Sequence, residues 1–168
     1  GFTAQHAGMV LVSQPLTQAL FSPLAGRLSD RIEPRVVASA GMVLTVVGLA
    51  FFSFLREETH LLSVIANLML LGLGFALFSS PNTNAIMGAT DKKHLGVASG
   101  ILATMRVTGQ MFSMGVVMVT LSLFHLSGVM IQPSYYGLFL RSTRTAFTIF
   151  AFCCFAGVFA SLARGKSR

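Results

Sequence analysis

Long runs of apolar residues, separated by short polar segments, dominate the pattern of this chain. Because a helix rises 1.5 Å per residue, about 20 apolar residues cross a hydrocarbon core of roughly 30 Å. The runs therefore predict five membrane-spanning helices, over residues 3–28, 34–55, 61–87, 95–124 and 141–163. The expected fold class is an all-α integral membrane protein.

The composition supports a membrane protein and excludes a nucleic-acid-binding one. Charged residues make up 10% of the chain and hydrophobic residues 54%, whereas soluble domains carry about 25% charged residues. The net charge of +7 comes from Lys and Arg at the ends of apolar runs, where membrane topology places them. The expected surroundings are a lipid bilayer, and nucleic acid is not an expected partner.

Polar side chains inside the first apolar run lie on one helical face. Gln14, Thr17 and Gln18 are spaced at i, i+3 and i+4, and a polar stripe in lipid has to face protein or water. Two interpretations stay open, hydrogen bonding between helices and the wall of a cavity. By contrast, the second run carries a stripe of small residues that predicts close helix packing: Ala38, Gly41, Thr45 and Gly48.

The fourth run contains the one charge placed deep in a helix interior. Arg106 follows Leu95 by eleven residues, or about 17 Å at helical rise, which is close to the bilayer midplane. Such a position costs at least about 2.5 kcal/mol on insertion scales, so the side chain is expected to face the bundle interior. There it either holds a structural partner or contacts a substrate. Gln110, one turn further, shares its face.

The cationic residues predict the orientation of the helices. Most of them fall between the first and second helices, between the third and fourth, and in the tail: Arg27, Arg31, Arg35, Lys92, Lys93, Arg164, Lys166 and Arg168. The opposite side carries Arg56, Arg141 and Arg144. Because cytoplasmic loops are enriched in Lys and Arg, the C-terminus is expected in the cytoplasm.

An enzyme is not predicted. The four His residues are scattered without metal-binding spacing, and the chain has neither a glycine-rich phosphate loop nor a nucleophile elbow. We therefore expect no catalytic residue, no metal and no cofactor. The acidic residues also lie at loops rather than at mid-membrane: Asp30, Glu33, Glu57, Glu58 and Asp91.

The segment from Gly26 to Arg31, Gly-Arg-Leu-Ser-Asp-Arg, resembles the loop motif of the major facilitator superfamily, Gly-x-x-x-Asp-Arg/Lys-x-Gly-Arg-Arg/Lys. Gly26 would allow close helix approach, and Asp30 would pair with Arg across the turn or with a helix N-terminus. Arg31 and Arg35 would anchor the turn. The chain departs from the motif at Glu33, where the motif has Gly. The alternative is a plain basic loop that only sets topology.

Two further segments resemble the fourteen-helix drug/proton antiporter branch of this family, Leu95–Gly100 and Arg106–Gln110. The resemblance implies an incomplete C-terminal six-helix bundle, without its first helix and without the N-terminal half, and the start at Gly1 looks like the middle of a longer protein. In the family fold the first, third and fourth helices here would border the central cavity. The cavity residues expected on them are Gln14, Gln18, Asn82, Arg106 and Gln110. Asn67 and Asn84 are the other amides in the interiors of these helices.

The function that the resemblance implies is secondary active transport, specifically proton-coupled multidrug efflux across the cytoplasmic membrane. The expected partners are a small-molecule substrate, protons and the missing N-terminal half. Two alternatives stay open. One is a small structural membrane protein that packs against a partner, and the other is a transporter of this fold for another class of substrate.

Overall fold

The computed structural model describes residues 4–56, 58–126 and 135–163. These residues form five α-helices: α1 (Ala4–Arg31), α2 (Pro34–Ser53), α3 (Leu61–Gly88), α4 (Leu95–Leu123) and α5 (Tyr136–Ala163). A short 3-10 turn, Lys92–His94, precedes α4. The described part of the chain contains no strand, and the all-α prediction is confirmed.

The connection between α1 and α2 is shorter than predicted. We expected α1 to end near Leu28, but it continues to Arg31 and leaves Ile32 and Glu33 between the helices. Nothing after Gly26 breaks the helix until Pro34, which disfavours helical backbone in the preceding residue. Glu33 accordingly has φ −51° and ψ 122°. The motif residues up to Arg31 therefore belong to the last turns of α1 rather than to a loop.

The other predicted helix boundaries agree more closely with the structure, except at the start of α5. That helix begins at Tyr136 rather than at Arg141, because residues 136–140 are mostly apolar and contain no proline. Part of the connection between the fourth and fifth predicted helices, and the whole basic tail, lie outside the described residues, at 127–134 and 164–168. The cytoplasmic position of the tail stays a prediction.

Within the described residues, four segments are long and apolar enough to cross a membrane: Pro34–Ser53, Leu61–Gly88, Lys92–Leu123 and Tyr136–Leu162. The 28 residues of α1 give it sufficient length, but the amides Gln14 and Gln18 lower its hydropathy. That α1 also spans the bilayer stays a prediction.

The packing is centred on α3, which lies between α1 and α2, while α2 also packs against α5. Small residues bring α2 and α3 into backbone contact. A Cβ added to Gly41 would lie 2.6 Å from the carbonyl oxygen of Gly74. All four members of the predicted small-residue stripe are buried, which confirms the predicted close packing. Small residues allow helices in lipid to approach closely.

Contacts along its length join α5 to α2. The rings of Phe52 and Phe147 lie 5.0 Å apart between centroids, and the hydroxyl groups of Ser39 and Ser161 hydrogen-bond at 2.9 Å. At the other end, Nε of Arg144 donates a hydrogen bond of 2.5 Å to the carbonyl oxygen just after α2, at residue 55. The two helices are therefore fastened near both ends.

Helix α4 is the exception to this packing, because most of its surface is exposed. Its final turn is nevertheless well defined. The N–H groups of His125 and Leu126 donate to the carbonyls of Ser122 and Leu121 at 3.0 and 2.9 Å, the two bonds of a Schellman motif. His125 has the positive φ of 53° that this motif requires, and the Leu126 side chain is 7% exposed.

Candidate functional site

The predicted cavity residues fall into two groups, and the first lies along α1 and α3. Gln14 and Gln18 on α1, and Asn82 on α3, are all half-buried. The two helices cross closely here, because the backbone of Gly72 lies against the carbonyl of Gln14. The three residues of the first group therefore lie on two helices that pack against each other.

The second group lies on α4. Arg106 and Gln110 are one turn apart, and both are exposed. Neither side chain has an ion pair or hydrogen bond to another described residue. Neighbouring hydroxyls on the same helix bond to its own backbone, as Thr104 does to the carbonyl of Gly100 at 2.9 Å. The N–H groups of the Arg106 guanidinium thus donate no hydrogen bond to another described residue.

The α1 residues of the first group lie apart from the second group. Within the described chain α1 makes no contact with α4, whereas α3, which carries Asn82, does contact α4. The arrangement is a set of half-buried amides on one helix pair and an exposed cation with an amide on a separate helix. That all five residues line one substrate cavity stays a prediction.

One amide that the sequence grouped with these residues has a structural role. Asn67 is 5% exposed, and its Nδ2 donates a hydrogen bond of 2.9 Å to the carbonyl oxygen of Gly48 on α2. The absence of a side chain at Gly48 lets the amide reach this carbonyl. Asn67 therefore joins α2 to α3.

The loop motif has the close approach expected of Gly26. A Cβ on this residue would lie 3.2 Å from Oγ of Ser80 and 3.7 Å from Nδ2 of Asn84, both on α3. Ser29, one turn later, is buried and donates a 2.7 Å hydrogen bond to the carbonyl of Gly26. The motif thus begins where the ends of α1 and α3 meet.

The charges of the motif are arranged differently from the expectation. Glu33 forms an ion pair with Arg35, with 2.9 Å between Oε1 and Nε, and Asp30 has no ion-pair partner among the described residues. Glu33 stands where the family motif has Gly, so the departure from the motif itself supplies the carboxylate that engages Arg35. This pair was not predicted from the sequence, where the only signal for it is the i, i+2 spacing of opposite charges.

The described residues contain no group of three or more His, Cys, Asp or Glu able to hold a metal ion. The polar side chains of the two candidate groups are amides and one guanidinium, which can form hydrogen bonds.

Comparison with known proteins places these features in a family. The sequence profile of the Major Facilitator Superfamily matches residues 1–167. The chain is 32% identical over 123 residues to the uncharacterized transporter YebQ of Escherichia coli (strain K12), covering 73% of this chain and 26% of that protein. It is 32% identical over 100 residues to the riboflavin transporter RibZ of Clostridioides difficile (strain 630), covering 60% of this chain and 22% of RibZ.

A third similar protein is the multidrug resistance protein Stp of Mycobacterium tuberculosis (strain ATCC 25618 / H37Rv). The identity is 34% over 109 residues, 65% of this chain and 20% of Stp. The chain thus spans about a quarter or less of the length of these relatives. No solved structure matches it.

Proposed function

Because the chain belongs to the Major Facilitator Superfamily, whose members are multi-pass membrane transporters and not enzymes, we propose that it forms part of a proton-coupled multidrug efflux transporter. The observation that carries the proposal is the free polar pair on α4. Arg106 and Gln110 project from an apolar helix and have no partner among the described residues. Stp, whose name denotes multidrug resistance, is among the similar proteins.

The energetic argument concerns the depth of Arg106. An unpaired guanidinium in hydrocarbon is costly, by at least about 2.5 kcal/mol, and such residues mark substrate or ion pathways. Since the described residues supply no partner, the charge has to meet water, a substrate or another part of the transporter. A polar lining of the transport path, with Gln14, Gln18 and Asn82 across from it, satisfies this requirement.

Proton coupling requires a group that titrates within the membrane. The acidic residues of this chain lie at helix ends and loops, so we place the proton-carrying carboxylate in the remainder of the transporter. That remainder includes an N-terminal half, because transporters of this kind rock one half against the other around a central site. Proton, drug and N-terminal half are therefore proposed partners.

We place the protein in the cytoplasmic membrane with its C-terminus inside. The support is the clustering of cations at the connections between α1 and α2 and between α3 and α4. A cysteine introduced at Ser134, between α4 and α5, is expected to react with an impermeant maleimide added to intact cells. Reaction only after permeabilisation would contradict the orientation.

The transport proposal is tested by Arg106→Gln in the full-length transporter. Efflux of ethidium and of a panel of amphipathic drugs is measured in cells, with and without a protonophore. Removing a charge that contacts the transport path is expected to lower efflux by about tenfold or more, because a lost charged interaction at a site is worth a few kcal/mol. The folded yield should not change, since Arg106 forms no hydrogen bond or ion pair with a described side chain.

The matched control is Arg56→Gln, which removes the same charge from the segment between α2 and α3. This variant should transport like the wild type. Efflux that survives Arg106→Gln, with normal yield, would contradict the assignment of Arg106. Efflux that is insensitive to the protonophore would contradict proton coupling. It would not change the conclusion about Arg106, which depends only on the comparison of the two variants.

A second candidate is a transporter of the same family for another class of substrate. The similarity to a riboflavin transporter favours it, and amides with one guanidinium suit a neutral, hydrogen-bonding ring. The distinguishing measurement is uptake or efflux of riboflavin by the full-length transporter. Riboflavin transport without drug efflux would replace the first proposal.

A further inference from the structure

A groove of about 670 Å³ lies between α1 and α3, at the end of α1 that leads into α2. Phe21 and Leu24 on α1, with Leu73 and Leu77 on α3, give it apolar walls. Its other end is charged and carries Arg27, Asp30 and Arg31. We propose that this groove binds an anionic phospholipid, with the acyl chain against the leucines and the phosphate between Arg27 and Arg31.

The register of the two helices supports this orientation of the lipid. Gly72 lies against Gln14, and Ser80 and Asn84 lie beside Gly26, so α1 and α3 run in the same direction. Leu73 and Leu77 therefore lie one to two turns deeper in the membrane than the contact at Gly26. The apolar walls are at the depth of acyl chains, and the arginines follow at the depth of headgroups.

Charge complementarity identifies the headgroup as anionic. Arg27 and Arg31 are one turn apart on α1, both are exposed, and neither has an ion pair with a described residue. Arg35, by contrast, is already engaged by Glu33. Asp30 offsets one of the two positive charges, so the charged end of the groove has a net charge of about +1. Guanidinium groups bind phosphate oxygens in a bidentate manner, and basic pockets between helices bind anionic headgroups.

The apolar part of the groove distinguishes a lipid from a soluble phosphate. The side chain of Leu24 is 55% exposed and that of Phe21 40% exposed, and both lie directly beneath the arginines. A free phosphate would contact only the charged end. A phospholipid covers both parts with one molecule, since its phosphate and acyl chains are separated along the membrane normal.

The test is native mass spectrometry of the full-length transporter, released from detergent with equal amounts of palmitoyl-oleoyl phosphatidylglycerol and the corresponding phosphatidylcholine. Phosphatidylglycerol should be retained preferentially, by about fivefold or more. Arg27→Gln with Arg31→Gln should abolish the preference. The matched control, Lys92→Gln with Lys93→Gln, removes the same charge from the next connection on the same side and should keep it.

Two further variants keep the test decisive if the arginine variant folds poorly. Asp30→Asn removes the opposing carboxylate and should increase retention of phosphatidylglycerol. Leu77→Trp fills the apolar part without changing charge and should decrease it. These readouts are binding measurements and do not depend on the proposed transport function.

Several outcomes would overturn the proposal. Equal retention of the two lipids by the wild type would show that the site has no anionic preference. Equal losses in the arginine and lysine variants would show diffuse surface attraction. Displacement of phosphatidylglycerol by millimolar inorganic phosphate would identify a soluble anion as the occupant. Failure of Leu77→Trp to reduce retention would show that the acyl chain lies elsewhere.

Discussion

Glycines in the interiors of α2 and α3 differ sharply in their surroundings from glycines on α4. A Cβ added to Gly41 would lie 2.6 Å from the backbone of α3, and one added to Gly74 would lie 2.7 Å from Oγ1 of Thr45. On α4 the equivalent space is empty, because no atom lies within 4 Å of a Cβ on its four glycines: Gly96, Gly100, Gly109 and Gly115. The α2–α3 interface is complete within this chain, whereas the described residues leave the surface of α4 open.

The polar side chains show the same contrast. Asn67 on α3 is buried and hydrogen-bonded to α2, while Arg106 and Gln110 on α4 are exposed and free of the described residues. Polar side chains in helix interiors therefore occupy two different environments in this chain. Asn67 joins two packed helices, while Arg106 and Gln110 on α4 form no hydrogen bond or ion pair with the described residues.

The largest effect is expected for Gly41→Val. The added Cβ would overlap backbone atoms of α3, which cannot move as a side chain can. Overpacking of this kind costs about 3 kcal/mol or more. Thermal unfolding in detergent, followed by size-exclusion fluorescence, should show a large loss of folded protein.

The control for this prediction is Gly109→Val on α4, where the new side chain meets open space. Its folded yield and unfolding temperature should match the wild type. Equal destabilisation by the two substitutions would mean that α4 is packed as tightly as α2, and the comparison would fail.

A smaller loss is expected for Asn67→Ala. The substitution removes a buried hydrogen bond of 2.9 Å between α3 and α2, and hydrogen bonds between membrane helices contribute about 1 kcal/mol. The unfolding midpoint should fall measurably. Gln110→Ala, which removes an exposed amide, should leave the unfolding midpoint unchanged. A larger effect for Gln110→Ala would show that α4 has a structural partner.

The smallest effect is a gain in stability from His125→Gly. His125 adopts a φ of 53° at the end of α4, a conformation that glycine adopts without steric cost. Part of the gain is lost because glycine is more flexible when unfolded, so the net change should be about 0.5 kcal/mol. A lower unfolding midpoint would show that the His side chain itself anchors this end of α4.

The sequence predicted those features that depend on local periodicity. The number of helices and the small-residue stripe of α2 follow from spacing along the chain, while the close approach at Gly26 follows from the resemblance to the family's loop motif. The end of α1 was missed by three residues because the charged motif resembled a loop, although only Pro34 actually prevents helical backbone. The start of α5 was missed because Arg141 was taken to mark the boundary.

Features that depend on two helices were not available from the sequence. Asn67 and Asn82 lie on the same helix, and only the crossing of α2 and α3 shows that Asn67 meets the carbonyl of Gly48. Likewise, the pairing of Glu33 with Arg35 depends on how Pro34 starts the next helix. The depth of Arg106 along its helix could be predicted from the sequence. Its interaction partners could not, and none lies among the described residues.

The contact between Gly41 and Gly74 also has an entropic consequence. Glycine loses no side-chain entropy when it is buried, since it has no rotamers. For the same reason this part of the interface has no alternative rotamer packing into which it can rearrange. Helices α2 and α3 are therefore expected to tilt and translate as one rigid body, so that any change of shape during a working cycle takes place at other surfaces of the bundle.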